Sequence, residues 1–380
     1  MAEFLELVES INAEAATADK LFGGEGVRIT PRNNPQYNKN LAEAANLVAN
    51  LVQRGSKLDM YRFQEALTTS DFPIYFGDLL DRQILASYAE APQTYTQWAK
   101  VSEVADFRPA KRYAMDGGEA ALKTVDELGE YKSVGRRESE LQFSVKKFGA
   151  RFDISWEAMI DDDLSLLTDQ PTRFGKAARR TEEREATKLL MDNTFFSSEH
   201  DNFMPSNPLT VQGLQKAIEK FTAKVDDDGE PIMVGPAILM VPPALEVTAN
   251  NILNASEFLA WDGSEESFQM RTNNWLKGKL KLVVNHYLPV LDKTQGSNTY
   301  YLLADPSAAR GAVEFAFLRG HRSPELFMKS PNAMSVGGAS AGAMAGDFDH
   351  DAIGYKVRHV MGGTVIDPKC ALKSVGSVGA

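Results

Sequence analysis

The sequence predicts a mixed α+β fold on three observations. Apolar residues recur at helical spacing in two early segments, alternate in strand fashion from Leu141 to Ile154, and switch repeatedly between the two periods from residue 209 to about 320. At 380 residues the chain is long enough for two or three substructures with a substantial core.

The first 35 residues are weakly patterned, and VRITPRNNPQ within them reads as a loop. A helix follows, with Leu41, Ala44, Ala45, Val48, Leu51 and Val52 on one face and Gly55 at its stop. A second carries Phe76, Leu79, Leu80, Ile84, Leu85 and Tyr88 as an apolar stripe. Residues 106–154 form a charged excursion, broken at Gly117-Gly118 and too poor in large apolar residues to build a core of its own. Its shape is expected to be a hairpin. Leu141, Phe143 and Val145 share one strand face, whereas Phe148, Ala150, Phe152 and Ile154 share another. The phase slips by one, so the strand must bulge or bend near Lys146-Lys147-Phe148-Gly149.

Ser155 is placed to cap the segment after the excursion. Pro171 suits a first helical position, and the run from there to Asn193 reads as a long helix, polar over most of its circumference. Packing on a narrow face, or contact with neighbouring molecules, must help to hold such a helix. Residues 209–320 read as one compact α/β domain. Thr210 caps a helix striped by Leu214, Ile218 and Phe221, AILMVPP is a short strand, and ALEVTANNILNA is helical. KLKLVVNHYL, TYYLLADP and GAVEFAFLRG are further strands. Near the C-terminus Ile353, Tyr355 and Val357 alternate as a strand, which Gly362-Gly363 is expected to end before a second short strand, Thr364-Val365-Ile366.

Composition excludes several classes. No stretch approaches the roughly 20 apolar residues of a membrane-spanning helix, and the N-terminus lacks the pattern of a signal peptide, so folding in a cytoplasm is expected. The single cysteine, Cys370, allows no internal disulfide and reads as a small buried hydrophobe. Against 52 acidic residues stand 41 basic ones, and a net charge of −11 opposes a protein whose main task is gripping phosphates.

Candidate active sites fail on context. Gly338-Ala339-Ser340-Ala341-Gly342 fits the hydrolase elbow pattern, with Asp347 and His359 following in triad order, but no buried strand precedes Ser340 and no helix-forming run follows it. A metal reading of Asp347, Asp349 and His350 has one imidazole. As a calcium loop the cluster has Ala352 where glycine is needed and Arg358 where glutamate is needed. Asp161-Asp162-Asp163 point about 100° apart on a helix and converge poorly on one ion. Asp226-Asp227-Asp228 read as an exposed turn, and His200, His286 and His321 are scattered. The glycines of LFGGEGV neither follow a strand nor open a helix. Neither a catalytic residue, a metal site nor a cofactor is expected, and the chain is read as a structural protein. A serine hydrolase using Ser340 is the alternative.

SDFPIYFGDLLDRQILASYAEAP, VADFRP, ARFDISWEAMIDDDL, LMVPPALEVTANNILNA and HDAIGYKVRHVMGGTVIDPK occur in this order over residues 70 to 375. This succession resembles the major capsid protein of tailed bacteriophages, with the HK-ninety-seven-type fold, and in particular the group of the Mu-like prophage major head subunit. The resemblance implies an N-terminal arm (1–105), an extended loop (106–154), a peripheral domain with a spine helix (155–208), an axial domain (209–320) and a return to the peripheral domain (321–380). It implies self-assembly into homo-hexamers and homo-pentamers around double-stranded DNA. A portal protein, a scaffolding protein and decoration proteins are the partners it implies; a membrane is not among them. The implied location is the virion, and the host cytoplasm during assembly. Since the extended loop of such proteins lies over a neighbouring subunit, Lys132, Arg136, Arg137, Glu138 and Glu140 become candidates for intersubunit contact. Lys123, Lys132 and Asn332 are candidates for the lysine–asparagine cross-link that some relatives form. Whether residues 1–35 persist in the mature particle is left open by the resemblance.

Overall fold

The computed structural model describes residues 2–22, 35–54, 58, 62, 72–116, 137–155, 164–225, 229–260, 270–308, 311–329 and 352–376. In chain order its elements begin with helices α1 (Ala2–Phe22), α2 (Pro35–Arg54) and α3 (Phe72–Glu90). Strands β1 (Lys100–Val104), β2 (Ala110–Asp116), β3 (Arg137–Phe143) and β4 (Lys146–Ser155) lead to the long helix α4 (Leu164–Leu189). Then come β5 (Phe203–Met204), α5 (Val211–Thr222), β6 (Ile238–Val241), α6 (Glu246–Asn254), β7 (Glu257–Ala260), β8 (Met270–Asn273), β9 (Lys281–Val284) and α7 (Leu288–Leu291). The last strands are β10 (Thr299–Leu303), β11 (Val313–Leu318), β12 (Glu325–Met328), β13 (Ala352–Val365) and β14 (Ala371–Val375).

The chain divides into two compact units that alternate along the sequence. One holds 1–92, 147–180 and 320–360; the other holds 93–146, 181–319 and 361–380. The division falls inside α4 and inside β13.

In the first unit α1, α2 and α3 pack around Phe4, Val8, Ile11, Leu41, Ala44, Ala45, Val48, Leu79 and Leu80, with Tyr355 closing the cluster. Helix α1 corrects the reading of residues 1–35 as only weakly patterned. Phe4, Val8 and Ile11 recur at i, i+4 and i+7, and all three are buried. Asn12 and Asn46 exchange side-chain amide hydrogen bonds at 3.1 and 3.0 Å, and Arg82 reaches Glu14 at 2.7 Å. VRITPRN lies outside the described residues. Strand β4 pairs with β13, and β12 runs antiparallel to it, Glu325 opposite Arg358. Phe152 of β4 stacks on Phe174 and Tyr355 at centroid distances of 5.0 and 5.1 Å. Helix α4 approaches α3 closely: a Cβ on Gly175 would lie 2.1 Å from Ser87 Oγ and 2.4 Å from the Ile84 carbonyl.

Helix α4 also corrects the placement of Pro171 as its first residue. The helix starts at Leu164 and carries the proline in its interior, which leaves the Leu167 carbonyl without the donor a turn later. Its buried face is polar as well as apolar. Ala178 and Ala186 share it with Arg179, Glu182, Glu183 and Thr187.

The core of the second unit is a five-stranded sheet in the order β5-β14-β10-β6-β9. Every residue of β6, β10 and β14 is buried. Strand β10 is antiparallel to β14 and to β6, while β6 and β9 are parallel. Helix α5 starts as expected at Thr210, whose hydroxyl accepts from the Gly213 N–H at 3.0 Å, and buries Leu214, Ala217 and Phe221. On β9 the fully buried residue is Val283, with Leu282 and Val284 only half-buried. A pair not anticipated, β7 with β8, is antiparallel. Cys370 is free and buried.

Also in this unit β1 runs parallel to β11, Lys100 opposite Glu314, and β11 runs antiparallel to the end of β13, Val313 opposite Val365. Strand β13 is continuous through Gly362-Gly363, where the sequence predicts a break. These glycines answer to proximity: a Cβ on either would lie 2.6 Å from a backbone oxygen, that of Ser144 or of Glu314. The strand is interrupted at Ser144-Val145, between β3 and β4, and the buried face of Phe143 and Val145 ends there, next to the expected bend.

Candidate functional site

The charged excursion emerges as paired strands. In β2 and β3, Ala110 faces Phe143, Arg112 faces Leu141, Tyr113 faces Glu140, Met115 faces Glu138 and Asp116 faces Arg137. Its sequence offers few groups to bury, and the arms are correspondingly open: Tyr113 is 56% exposed, and Phe107, just before β2, is 52% exposed.

What holds the root is ionic. Arg112 grips the carboxylate of Glu314 on β11, Nε to both oxygens at 2.9 and 3.0 Å and Nη2 to Oε1 at 2.7 Å. Glu314 is only 3% exposed and also accepts from the Ser102 hydroxyl of β1. The Arg112 guanidinium lies 5.5 Å from the Phe143 ring centre, and its bond to Glu314 raises its pKa. Further out, Lys111 Nζ meets Glu140 at 2.8 Å, and Gln142 donates to the same carboxylate at 2.5 Å. Hydrogen bonding to Lys111 lowers the pKa of Glu140.

Of the five contact candidates, Glu140 is thus engaged within its own chain. Arg137 and Glu138 have a backbone place in β3, and Lys132 and Arg136 lie outside the described residues. So do Lys123, Asn332, Ser340, Asp347, Asp349, His350, the Asp161 and Asp226 runs and the LFGGEGV glycines. His359 is 3% exposed on β13, its ring edge-on to Tyr88 at 6.0 Å. Among the described residues no group of three His, Cys, Asp or Glu side chains is placed to hold a metal ion, and no helix is long and apolar enough to cross a membrane.

Two anchors escape sequence reasoning. Glu314 and Arg112 are 202 residues apart, and the signal is the lone acid in the apolar run VEFAFL. The second anchor is Glu183 of α4. It accepts from the Thr94 N–H, from the Thr94 hydroxyl at 2.8 Å and from the Tyr95 N–H at 3.0 Å. Tyr95 in turn packs on Phe315, ring centres 5.1 Å apart. Such geometry ties the β2–β3 pair to β1 and β11 and leaves side chains such as Tyr113 exposed. That arrangement suits contact with another macromolecule.

Comparison with known proteins bears on which kind. Residues 138–374, more than half of the chain, match the family model described as phage capsid protein. The chain belongs to that family: it is a bacteriophage capsid shell protein, a component of the virion. Solved structures it resembles include that of Mycobacterium phage Patience (12% identity, 82% of this chain and 91% of that one, TM-score 0.48). Another is the capsid of cyanophage P-SCSP1u (10% identity, 76% and 89%, TM-score 0.47). The head of Helicobacter pylori bacteriophage KHP40 gives 10% identity, 74% and 88%, and a TM-score of 0.45. No curated protein matches the chain.

Proposed function

We propose that this chain is the major subunit of an icosahedral, tailed-phage head of the HK-ninety-seven-type architecture. Copies form pentamers and hexamers that enclose double-stranded DNA, assembling in the host cytoplasm with a portal protein, a scaffolding protein and decoration proteins. The role is structural and involves no reaction. The observation that carries the reading is the family match over residues 138–374. The hairpin supports it physically. A pair of strands with little apolar burial of its own, ionically clamped at the root, gains most by lying on a surface supplied by another copy.

Electron microscopy of the purified full-length chain tests this. Closed shells or capsomers are expected; a chain that stays monomeric under every assembly condition overturns the reading. Charge reversal at Arg136 and Arg137 is expected to impair assembly and leave the chain soluble and folded. Unchanged assembly by that variant removes the two arginines from the interface.

A further inference from the structure

The outward face of α4 carries charge of one sign. From Gln170 to Leu189 the exposed positions are Arg173, Ala177, Arg180, Arg184 and Lys188. Their spacing of three or four residues keeps them within an arc of about 80° over about 22 Å of helix. The stripe belongs to one unbroken helix. Two of the helix's acids, Glu182 and Glu183, are turned inward and buried, and Glu185 lies off the stripe, half-buried. Among the described residues none of the four stripe cations makes an ion pair or a side-chain hydrogen bond. In a chain of net charge −11 this concentration runs against the average.

We infer that this stripe is a docking surface for the phosphate backbone of double-stranded DNA. The inference rests on the shell reading for its biological setting. Four features favour a polyanion over a second protein. A protein interface needs an apolar, charge-depleted centre, and here the only uncharged member is Ala177. Three of the four cations are arginines, whose planar donors match phosphate oxygens. The cations follow one line, as a strand of phosphates does. No exposed aromatic or amide side chain interrupts them to read bases, so binding is independent of sequence. Adhesion to DNA is then confined to one helix face on an otherwise repelling wall.

The test measures binding of a short labelled duplex to the unassembled full-length chain by fluorescence anisotropy, between about 50 and 200 mM salt. The wild-type chain is expected to bind at the low end and to weaken about a hundredfold across the range, for about four phosphate contacts. R173Q/R180Q/R184Q/K188Q should weaken binding at least tenfold at low salt and flatten the logarithmic salt slope by about 3 to 4. R184Q alone should flatten it by about 0.9, which keeps the test decisive if the quadruple variant misfolds. R173K/R180K/R184K should retain the wild-type slope. A wild-type chain that does not bind the duplex at low salt, or variants whose slope is unchanged, overturns the inference. Lost assembly with an unchanged slope overturns it in favour of a second copy as the occupant. Micrographs without shells beside a salt-sensitive, stripe-dependent affinity would instead refute only the shell reading.

Discussion

Two β structures of the same unit are held by opposite means. The sheet of β6, β10 and β14 is buried at every residue, and its polar groups are satisfied inside: the buried Asn207 amide donates to Tyr300 Oη at 2.7 Å and to Gly213 O at 2.9 Å, and the Ser374 hydroxyl donates to the Asn207 carbonyl at 2.9 Å. The β2–β3 pair has open faces, buries Phe143 at its root and is tied to β11 by one arginine closing on one buried carboxylate. Apolar burial and internal hydrogen bonds fix the first. The second has a single ionic tie and is free to settle on whatever it meets.

The sharpest way to separate them is to damage each in turn. Leu302→Ala, at a fully buried position of β10, should lower the unfolding free energy by about 4 kcal/mol, read from the denaturation midpoint. A loss under about 1 kcal/mol would mean that the sheet is not the core.

A titration comes next in size. Lys224 is buried, its ammonium donating to the carbonyls of Lys369 and Ala371 at 2.9 Å each, and burial lowers its pKa to about 8. Its unfolded value is near 10.5, so between those pH values the unfolded chain binds more protons. Stability is therefore expected to rise from pH 8 towards 10.5, by about 3 kcal/mol from this group. Burial pushes Tyr300 up to about 12 from 10.0, which gives the opposite sign above pH 10. Denaturation midpoints should thus peak near pH 10, and the rise should shrink in Lys224→Met to the part left by Lys373, whose pKa burial also lowers.

Arg112→Ala should act locally. Amides of residues 110–116 and 137–143 are expected to exchange about thirtyfold faster, about 2 kcal/mol, while those of β6, β10 and β14 keep their protection. A uniform loss across the unit would erase the contrast drawn above. Lys111→Ala, which breaks a solvent-exposed pair with Glu140, should leave the denaturation midpoint unchanged in the same measurement.

How much of this was legible depended on the range of the signal. Local periodicity placed α2, α3, α5 and β10, because Leu41 to Val48 or Leu214 to Phe221 carry their pattern within a few turns. The stripe of Phe4, Val8 and Ile11 is as regular, but it is only three residues long and becomes meaningful only beside α2. Pro171 and Gly362-Gly363 misled for a common reason: both carry strong local preferences that tertiary proximity overrode. The polar α4 left two supports open, packing on a narrow face or contact with neighbouring molecules. In the fold Glu183 is satisfied by the backbone at Thr94 and Tyr95, and Arg179 lies 3.8 Å from the centre of the Tyr88 ring. The Arg112–Glu314 anchor was illegible, since no spacing rule links residues so far apart.

The strand order has a consequence for how the molecule is made. Strand β14 lies between β5 and β10, yet it is the last of the described strands to leave the ribosome. Until residues 371–375 emerge, β10 has one edge unpaired, and its strand carries Tyr300, Tyr301, Leu302 and Leu303, all buried in the finished sheet. For that interval the nascent chain presents a sticky template to its own copies. Premature association between copies is then limited by how soon β14 follows β10 out of the ribosome.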